Sequence, residues 1–201
     1  MRLIGMMDSP FVRRVAVTMR LFGMAHSHEQ ISVFRQAEDF AKINPLMKAP
    51  TLILDDGALL MDSSLILDWL EVKGDPVTFL PNDPGLRGEA LSLIGYALMG
   101  TEKAMQWDLE RKRPREKRHD PWSDRCAAQA RAAFAHLERE CAKTERWLVG
   151  HAYTQADITL ACCWGYIKRY CAELIAEATH PCLAAHAARC EARPEFVAAQ
   201  F

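Results

Sequence analysis

The chain has 201 residues, of which half are hydrophobic and a quarter are charged, and its formal net charge at pH 7 is −1. This length is enough for one large domain or two small ones, and the near-neutral charge argues against a dedicated nucleic-acid binder. No apolar run is close to the length of about 18 residues that is needed to span a bilayer, and the first residues lack the apolar core of a signal peptide. We therefore expect a cytoplasmic protein that binds neither nucleic acid nor a membrane.

Seven cysteines all lie in the C-terminal half of the chain. Their number is odd and they form no C-x-x-C spacing, so the pattern indicates neither a disulfide framework nor a zinc site. Most of them lie in alanine-rich helical segments, where a reduced thiol behaves as a small hydrophobic side chain. We expect no metal in this protein.

The first short apolar run ends at Met7 and predicts a strand, and Ser9-Pro10 predicts a helix that starts directly after it. Apolar residues then recur at intervals of four, four and three, as on one face of a helix. The N–H groups at a helix start favour a nearby carboxylate, phosphate or thiolate. Taken by itself, Ser9 is either a plain helix cap or a contact to such a group.

The next elements alternate between strand and helix up to about residue 75. Residues 29–33 predict a second strand, which a helical crossover makes parallel to the first. Asp56-Gly57 between two apolar runs predicts a hairpin, and Asp62-Ser63 predicts another helix start. The order β-α-β-α-β-β-α is the thioredoxin-like arrangement.

Beyond a turn-rich segment at residues 80–85, the chain is predicted to be helical throughout. Two long helices are expected over residues 86–109 and 124–147, with Gly150 closing the second. Thr154 and Asp157 have the spacing of a capping box, and they precede a strongly apolar helix over residues 158–170. We therefore place one domain at residues 1–78, a linker at 79–87 and an all-helical domain at 88–201.

Six short motifs occur in order along the chain, and each of them is weak by itself. They are Ser9-Pro10-Phe11-Val12-Arg13, Asn44-Pro45-Leu46 with Lys48-Ala49-Pro50, Asp62-Ser63, Leu80-Pro81, Gly150 with Thr154-Gln155-Ala156-Asp157-Ile158, and His180-Pro181 through Arg193-Pro194-Glu195-Phe196. Together they resemble the cytosolic glutathione S-transferase superfamily, and the Ser-Pro-Phe motif is most similar to its small bacterial members. The resemblance implies an α/β thioredoxin-like N-terminal domain, an all-α C-terminal domain and a homodimer.

The resemblance also implies a glutathione site on the first domain. Ser9 would donate a hydrogen bond to the glutathione sulfur, Pro50 would be the family's cis-proline, and Ala49 would pair with the cysteinyl backbone. Asp62 and Ser63 would hold the γ-glutamyl end, and Lys48 would reach a peptide carboxylate. The implied glutathione-binding residues are Ser9, Phe11, Lys48, Ala49, Pro50, Asp62 and Ser63, with Ser9 catalytic.

The residue types at these positions suit that chemistry. A thiol has a pKa of about 8.5, and lowering it by one unit takes about 1.4 kcal/mol, which one hydroxyl donor plus helix-terminal N–H groups can supply. Ser rather than Cys at position 9 disfavours thiol-transfer and dehalogenase chemistry. Met47 departs from the family pattern, which often has glycine there, so the loop before Lys48 is expected to differ.

The charged run at residues 111–119 is the strongest one in the chain. It is either a solvated connection between helices or a patch that attracts anions. The family places this segment near the mouth of the electrophile pocket, so we expect Trp107, Arg111 and Arg113 to line that pocket and to favour anionic or polar substrates.

The resulting functional hypothesis is a glutathione transferase that activates the glutathione thiolate for attack on a small electrophile. Two alternatives stay open. One is a non-catalytic glutathione-binding or regulatory relative, because a fold does not determine function. The other is a glutathione-dependent peroxidase or reductase, which would use the same thiolate.

Overall fold

The computed structural model describes residues 1–74 and 76–201, and the chain divides into two compact units. The first unit comprises Met1–Phe79 together with Ala192–Phe201, and the second comprises Leu80–Glu191. The sequence interpretation assigns residues 192–201 to the helical domain, whereas the structure groups them with the first unit.

Four strands form the sheet of the first unit, within the residues that the structure describes. They are β1 (Arg2–Ile4), β2 (Ser27–Glu29), β3 (Thr51–Ile53) and β4 (Leu59–Met61). Their order is β2-β1-β3-β4, with β1 and β2 parallel and the other two pairs antiparallel. The predicted parallel pair and the predicted hairpin are therefore confirmed, and the sheet is mixed.

Three helices follow the strands in the predicted order: α1 (Pro10–Leu21), α2 (Ala37–Ile43) and α3 (Ser63–Lys73). Helices α1 and α3 pack against each other, and the core of this unit consists of their apolar faces and those of the strands. Its fully buried side chains include Leu3, Ile4, Val12, Val15, Met19, Phe40, Leu52, Ile66 and Leu70. This is the thioredoxin-like arrangement expected from the sequence.

The second strand ends earlier than the sequence predicts. It stops at Glu29, whereas residues 29–33 are the predicted strand. The Ser32 hydroxyl accepts hydrogen bonds from the N–H groups of Phe34 and Arg35 at 3.3 and 3.1 Å, and this local turn competes with strand pairing.

The second unit contains four long helices in the described part of the chain: α4 (Pro84–Arg111), α5 (Asp120–Cys141), α6 (Gln155–Tyr170) and α7 (Pro181–Glu191). Helix α4 packs against α5 and α6, and α7 packs against both α5 and α6. Helix α6 is buried along most of its length, as its apolar sequence predicts. The all-helical character of this unit is therefore confirmed.

Helix α5 ends at Cys141, so the predicted extension to residue 147 and the closure by Gly150 are wrong. The reason is a tertiary contact that a helical pattern does not encode. The buried carboxylate of Asp157 accepts a hydrogen bond from the Leu148 N–H at 2.9 Å, which draws the segment after α5 to the start of α6. Gly150 lies in the turn between them, with φ of +57°.

The predicted capping box at the start of α6 is present. The Thr154 hydroxyl accepts from the Ala156 N–H at 3.2 Å, and Asp157 accepts from the Thr154 N–H at 2.7 Å. Both side chains are buried, so these bonds satisfy backbone groups that water cannot reach. Asp157 thereby fixes both the helix start and the segment that precedes it.

The last helix, α8 (Pro194–Val197), packs against α1 in the first unit. The buried Arg13 side chain makes this contact: its Nε donates to the Ala199 carbonyl oxygen at 2.9 Å, and its guanidinium lies over the rings of Phe196 and Phe201 at 5.1 and 4.9 Å. A cation held against two aromatic faces binds the chain end to α1. These contacts explain why residues 192–201 belong to the first unit.

None of the helices in the described residues is long and apolar enough to cross a membrane.

Two glycines of α4 lie in different environments and give a matched test of helix packing. A Cβ at Gly100 would lie 2.7 Å from the Ala133 Cβ on α5, whereas a Cβ at Gly95 would meet nothing within 4 Å. We expect Gly95→Ala to raise the free energy of unfolding by about 0.5–1 kcal/mol, because alanine is the better helix former. We expect Gly100→Ala to lower it by about 1–3 kcal/mol, because α5 must move away. Urea unfolding measures both, and a stabilised Gly100→Ala variant would contradict this packing.

A buried histidine makes the stability of the second unit depend on pH. His186 is fully buried, and its Nε2 lies 3.4 Å from Asp157 Oδ1 and 3.7 Å from Cys190 Sγ, while Arg189 Nη2 lies 3.5 Å from its Nδ1. Burial lowers the pKa of His186 from 6.5 to about 4, and the positive charge of Arg189 acts in the same direction. Burial raises the pKa of Asp157, which has the opposite effect on acid stability.

The folded state therefore resists protonation of His186, and the stability from its neutral form is lost as the pH falls from about 6.5 to about 4. We expect the free energy of unfolding to fall by roughly 2–3 kcal/mol more in the native chain than in a His186→Gln variant over this range. Urea unfolding at several pH values measures the difference. Equal pH slopes in the two proteins would show that His186 does not titrate in this way.

Candidate functional site

Three loops meet at one edge of the sheet because of the strand register. Ile4 at the end of β1 pairs with Thr51 at the start of β3, and Thr51 pairs with Met61 at the end of β4. The segments that adjoin these three residues therefore leave the sheet side by side. They carry Ser9, Ala49-Pro50 and Asp62-Ser63, which are the residues that the sequence selects for the site.

Ser9 occupies the N-cap position of α1. Its Oγ accepts from the Val12 N–H at 3.5 Å, and Pro10 follows at the first helical position. Because the hydroxyl oxygen serves as acceptor toward the helix, its proton can be donated outward. The half-buried side chain thus combines a helix cap with a hydroxyl donor at a positive helix end.

Gly5 lets β1 approach α1 and the proline loop closely. It has φ of +138°, and a Cβ there would lie 2.6 Å from Val12 Cγ2 and 3.0 Å from the Ala49 Cβ. Its carbonyl oxygen is 2.8 Å from His28 Nε2, and its N–H donates to the Glu29 carbonyl oxygen at 3.0 Å. Glycine at this position therefore sets the distance between the Ser9 loop and Ala49.

The Ala49–Pro50 peptide bond is cis, and a buried asparagine supports the loop before it. Asn44 Nδ2 donates to Thr51 Oγ1 at 2.9 Å, and Asn44 Oδ1 accepts from the Leu46 N–H at 3.0 Å. Thr51 Oγ1 in turn donates to the Lys48 carbonyl oxygen at 2.7 Å. The sequence indicated Asn44 only as part of a short motif, although its side chain shapes the loop.

Met47 has φ of +48°, in the left-handed region that favours glycine, so a methionine occupies a strained position in the loop before Lys48. Lys48, the next residue, is exposed.

Asp62 and Ser63 begin α3 in an unusual backbone conformation. Asp62 has φ of +66°, and its Oδ1 accepts from the Ser64 N–H at 2.8 Å, while its side chain is exposed. A left-handed aspartate is uncommon outside turns and functional positions. A carboxylate and the free N–H groups of a helix start thus lie next to each other.

A buried arginine lies beneath this helix start. Arg14 on α1 is 2 % exposed, and its Nη1 lies 3.4 Å from the Ser63 Oγ and 3.5 Å from the Ser64 Oγ, as donor to both hydroxyls. The cation adds positive potential where the α3 N–H groups already favour an anion. The sequence analysis did not select Arg14, although two consecutive arginines on an amphipathic helix were a visible signal.

Comparison with known proteins agrees with this architecture. Residues 3–76 match the family model described as the glutathione S-transferase N-terminal domain, and residues 120–189 match the model for the C-terminal domain. A glutathione S-transferase from Methylobacterium radiotolerans, solved in complex with glutathione sulfonate, is 30% identical in sequence. The superposition covers 98% of this chain and 93% of that chain with a TM-score of 0.92. The chain belongs to the glutathione S-transferase superfamily.

Two further superfamily members illustrate the range of similarity. A glutathione transferase family member from Pseudomonas fluorescens, solved with bound glutathione, is 30% identical, with 99% of this chain and 98% of that chain covered and a TM-score of 0.84. The uncharacterised GST-like protein YibF of Escherichia coli is 28% identical over 101 residues, which are 49% of this chain and 50% of that protein. The chain thus spans about half the length of the curated relatives it matches.

In this superfamily member, the residues that the sequence selects for an electrophile pocket lie in the second unit. Trp107 and Arg111 line a cavity of about 390 Å³ near the end of α4. Arg113 is not among its lining residues in the described part of the chain. Its guanidinium instead pairs with Glu110 at 3.2 Å, and Glu110 also accepts from the His119 N–H at 2.8 Å, so Arg113 helps to fasten the connection to α5.

The cysteines of the second unit are free thiols, and all but the half-buried Cys182 are buried. Burial raises the pKa of Cys141 and of Cys171 to about 12, so these thiols are poor nucleophiles near neutral pH. The candidate site on the first unit therefore does not depend on a cysteine of this chain as its nucleophile.

A second glycine pair tests the close approach at Gly5. Gly5→Ala combines a positive φ with a clash against Val12, whereas Gly57→Ala has a positive φ of +87° but open space around it. We expect Gly57→Ala to cost about 1 kcal/mol of unfolding free energy and Gly5→Ala to cost about 2–4 kcal/mol. Urea unfolding compares them, and equal losses would mean that the approach of Val12 and Ala49 does not constrain position 5.

Proposed function

We propose that this protein is a glutathione transferase that binds glutathione on its first unit and activates the thiol beside Ser9. The proposal rests on one observation: three segments leave the sheet side by side at one edge, because Thr51 pairs with both Ile4 and Met61. These segments carry Ser9, Ala49-Pro50 and Asp62-Ser63. These segments supply a hydroxyl donor, a backbone edge and a helix start with a carboxylate. Solved superfamily members with glutathione or glutathione sulfonate bound support the same ligand here.

Each part of glutathione has a chemical match in the proposed site. Ala49 offers backbone N–H and C=O groups for pairing with the cysteinyl residue, like an added strand. The Asp62 carboxylate suits the γ-glutamyl ammonium, and the start of α3 at Ser63 suits its carboxylate. The exposed Lys48 suits the carboxylate at the other end of the peptide, and Phe11 in the first turn of α1 supplies an apolar contact.

Arg14 strengthens the carboxylate end of this proposed site. It is buried, and it contacts the hydroxyls of Ser63 and Ser64 from below. A positive charge at low local dielectric acts over several ångströms, so it adds to the attraction of the helix start for an anion. Arg14 therefore has a positioning role in the proposal.

The catalytic contribution is mainly thiolate stabilisation and proximity. The Ser9 hydroxyl donates a hydrogen bond to the thiolate sulfur, and the first turn of α1 presents a positive dipole end to the same atom. The thiolate then attacks a small electrophile. We further propose, from the family resemblance, that the protein acts as a homodimer in the cytoplasm.

Replacement of Ser9 by alanine tests the central contact. We expect the pKa of bound glutathione to rise by about one unit and turnover at neutral pH to fall about tenfold, because one hydrogen bond to the thiolate is lost. The affinity for glutathione should change by less than about threefold, because the peptide contacts remain. Titration of thiolate absorbance with pH, together with calorimetric titration of glutathione, measures both quantities.

Ser9→Thr is the matched control, because it keeps the hydroxyl donor and the helix cap and should restore the lower pKa. An unchanged pKa in Ser9→Ala would assign thiolate stabilisation to backbone N–H groups instead. Absence of glutathione binding to the native chain would overturn the transferase proposal. Binding without turnover of any electrophile or hydroperoxide would favour the non-catalytic reading.

A further inference from the structure

The cavity at the end of α4 has an unusual lining. Its walls come from the last turn of α4, the connection that follows it and the end of α6. The lining residues are Trp107, Asp108, Arg111, Lys112, Arg118, Arg169, Tyr170, Ala172 and Glu173. Four of these side chains are cations and two are carboxylates, so the lining carries a net positive charge of two.

The two carboxylates of the lining are already occupied. Glu173 pairs with Arg111 at 2.8 Å, and Asp108 pairs with Lys112 at 2.6 Å. Arg118 is held differently, since its Nε donates to the neutral carbonyl oxygen of Arg113 at 2.9 Å. The positive charge of Arg118 is therefore not balanced by a carboxylate of this lining, and an anion entering the cavity can pair with it.

Flat cationic surfaces complete the walls. The Arg111 guanidinium lies over the Trp107 ring at 4.4 Å, and the Arg169 guanidinium lies near the Tyr170 ring at 5.5 Å. A guanidinium stacked on an aromatic ring offers a planar face with outward hydrogen-bond donors. The Arg111–Glu173 pair is exposed, so a ligand carboxylate can replace Glu173 at little cost.

From these walls we propose that the cavity binds a planar aromatic carboxylate, with Arg118 and Arg111 as the residues that determine this specificity. The volume of about 390 Å³ suits a single substituted aromatic ring. As the electrophile class of this protein, the assignment rests on the proposed transferase function. Arg113, which the sequence also selects, takes no part, because it does not line the cavity in the described part of the chain.

Binding is tested first without glutathione, so that it does not depend on turnover. The probe is 3,5-dinitrobenzoate, and the matched neutral ligand is 1,3-dinitrobenzene, each titrated by calorimetry. We expect the native chain to bind the carboxylate about tenfold more tightly than the neutral ligand. Arg118→Met should weaken the affinity for the carboxylate about fivefold to tenfold and leave the affinity for the neutral ligand unchanged. Raising the ionic strength from about 0.05 M to about 0.5 M should lower the affinity for the carboxylate and leave the affinity for the neutral ligand unchanged.

Arg115→Met is the control variant, because Arg115 lies in the same connection but does not line the cavity. It removes the same charge from the segment and should leave carboxylate affinity within about twofold, because an exposed charge that does not contact the ligand is weakened by solvent and salt. Equal affinities for the two ligands in the native chain would overturn the assignment. Equal losses in Arg115→Met and Arg118→Met would also overturn it, because they would indicate general charge attraction.

Turnover is tested with 4-chloro-3,5-dinitrobenzoate against 1-chloro-2,6-dinitrobenzene. The glutathione sulfur forms a bond to the ring carbon that bears chlorine, chloride leaves, and the thiol proton passes to solvent. We expect Arg118→Met and Arg111→Met each to raise KM for the carboxylate about fivefold to tenfold, with kcat and the neutral substrate little changed.

The two proposals fail separately in this design. If the neutral substrate is conjugated and the carboxylate is not preferred, the transferase proposal stands, but the proposal that the cavity binds aromatic carboxylates is overturned. Tight, Arg118-dependent binding of dinitrobenzoate to a chain that conjugates neither of the two chlorinated substrates, nor any other electrophile, would support the ligand class for the cavity and overturn the transferase proposal.

Discussion

The register of three neighbouring strands is the constraint on which the candidate site depends. Ile4, Thr51 and Met61 pair side by side, so the segments next to them emerge at one edge of the sheet. A slip of one residue would turn every side chain of a three-residue strand to the opposite face and would also misalign the loops. Burial of Leu3 and Leu52 between the sheet and its helices opposes such a slip. The core of the first unit therefore also sets the geometry of its site.

Buried polar groups support that geometry from below the site. Asn44 connects the loop before Pro50 to the start of β3, and Arg14 connects α1 to the start of α3. Each is a costly group to bury without hydrogen bonds, so each helps to specify one arrangement of the elements that it joins. Positive φ values at Gly5, Met47 and Asp62 lie in the same three loops. Two of the three non-glycine residues with positive φ in the described part of the chain, Met47 and Asp62, thus lie where the glutathione contacts are proposed.

The second unit is organised around a different buried group. Asp157 accepts hydrogen bonds from Thr154 and Leu148 and faces His186, so one carboxylate joins the start of α6, the segment after α5 and helix α7. By contrast, the charged connection after α4 is fastened by Glu110, which accepts from Arg113 and from the His119 N–H. The cavity beside this connection is lined by four cations and two carboxylates, so a near-neutral chain presents a local positive cavity.

Local signals in the sequence determined the strand and helix order of the first unit, the hairpin, the helix starts at Ser9, Asp62 and Thr154, and the helical character of the second unit. These signals act within a few residues, through caps, turns and periodic burial, so they can be recognised without the fold. The motifs in order also determined the superfamily and the residues proposed for glutathione.

Only the tertiary structure decided the features that depend on distant contacts. The end of α5 at Cys141 follows from the bond between Leu148 and Asp157, and the placement of the last ten residues follows from Arg13 against Phe196 and Ala199. The tertiary structure also decides the different contacts of Arg113 and Arg118 in the basic run. The two residues are of the same type, but Arg113 pairs with Glu110, whereas Arg118 donates to a backbone carbonyl oxygen. Spacing along a chain specifies which face a side chain occupies, whereas the groups it meets there are set by the packing of other elements.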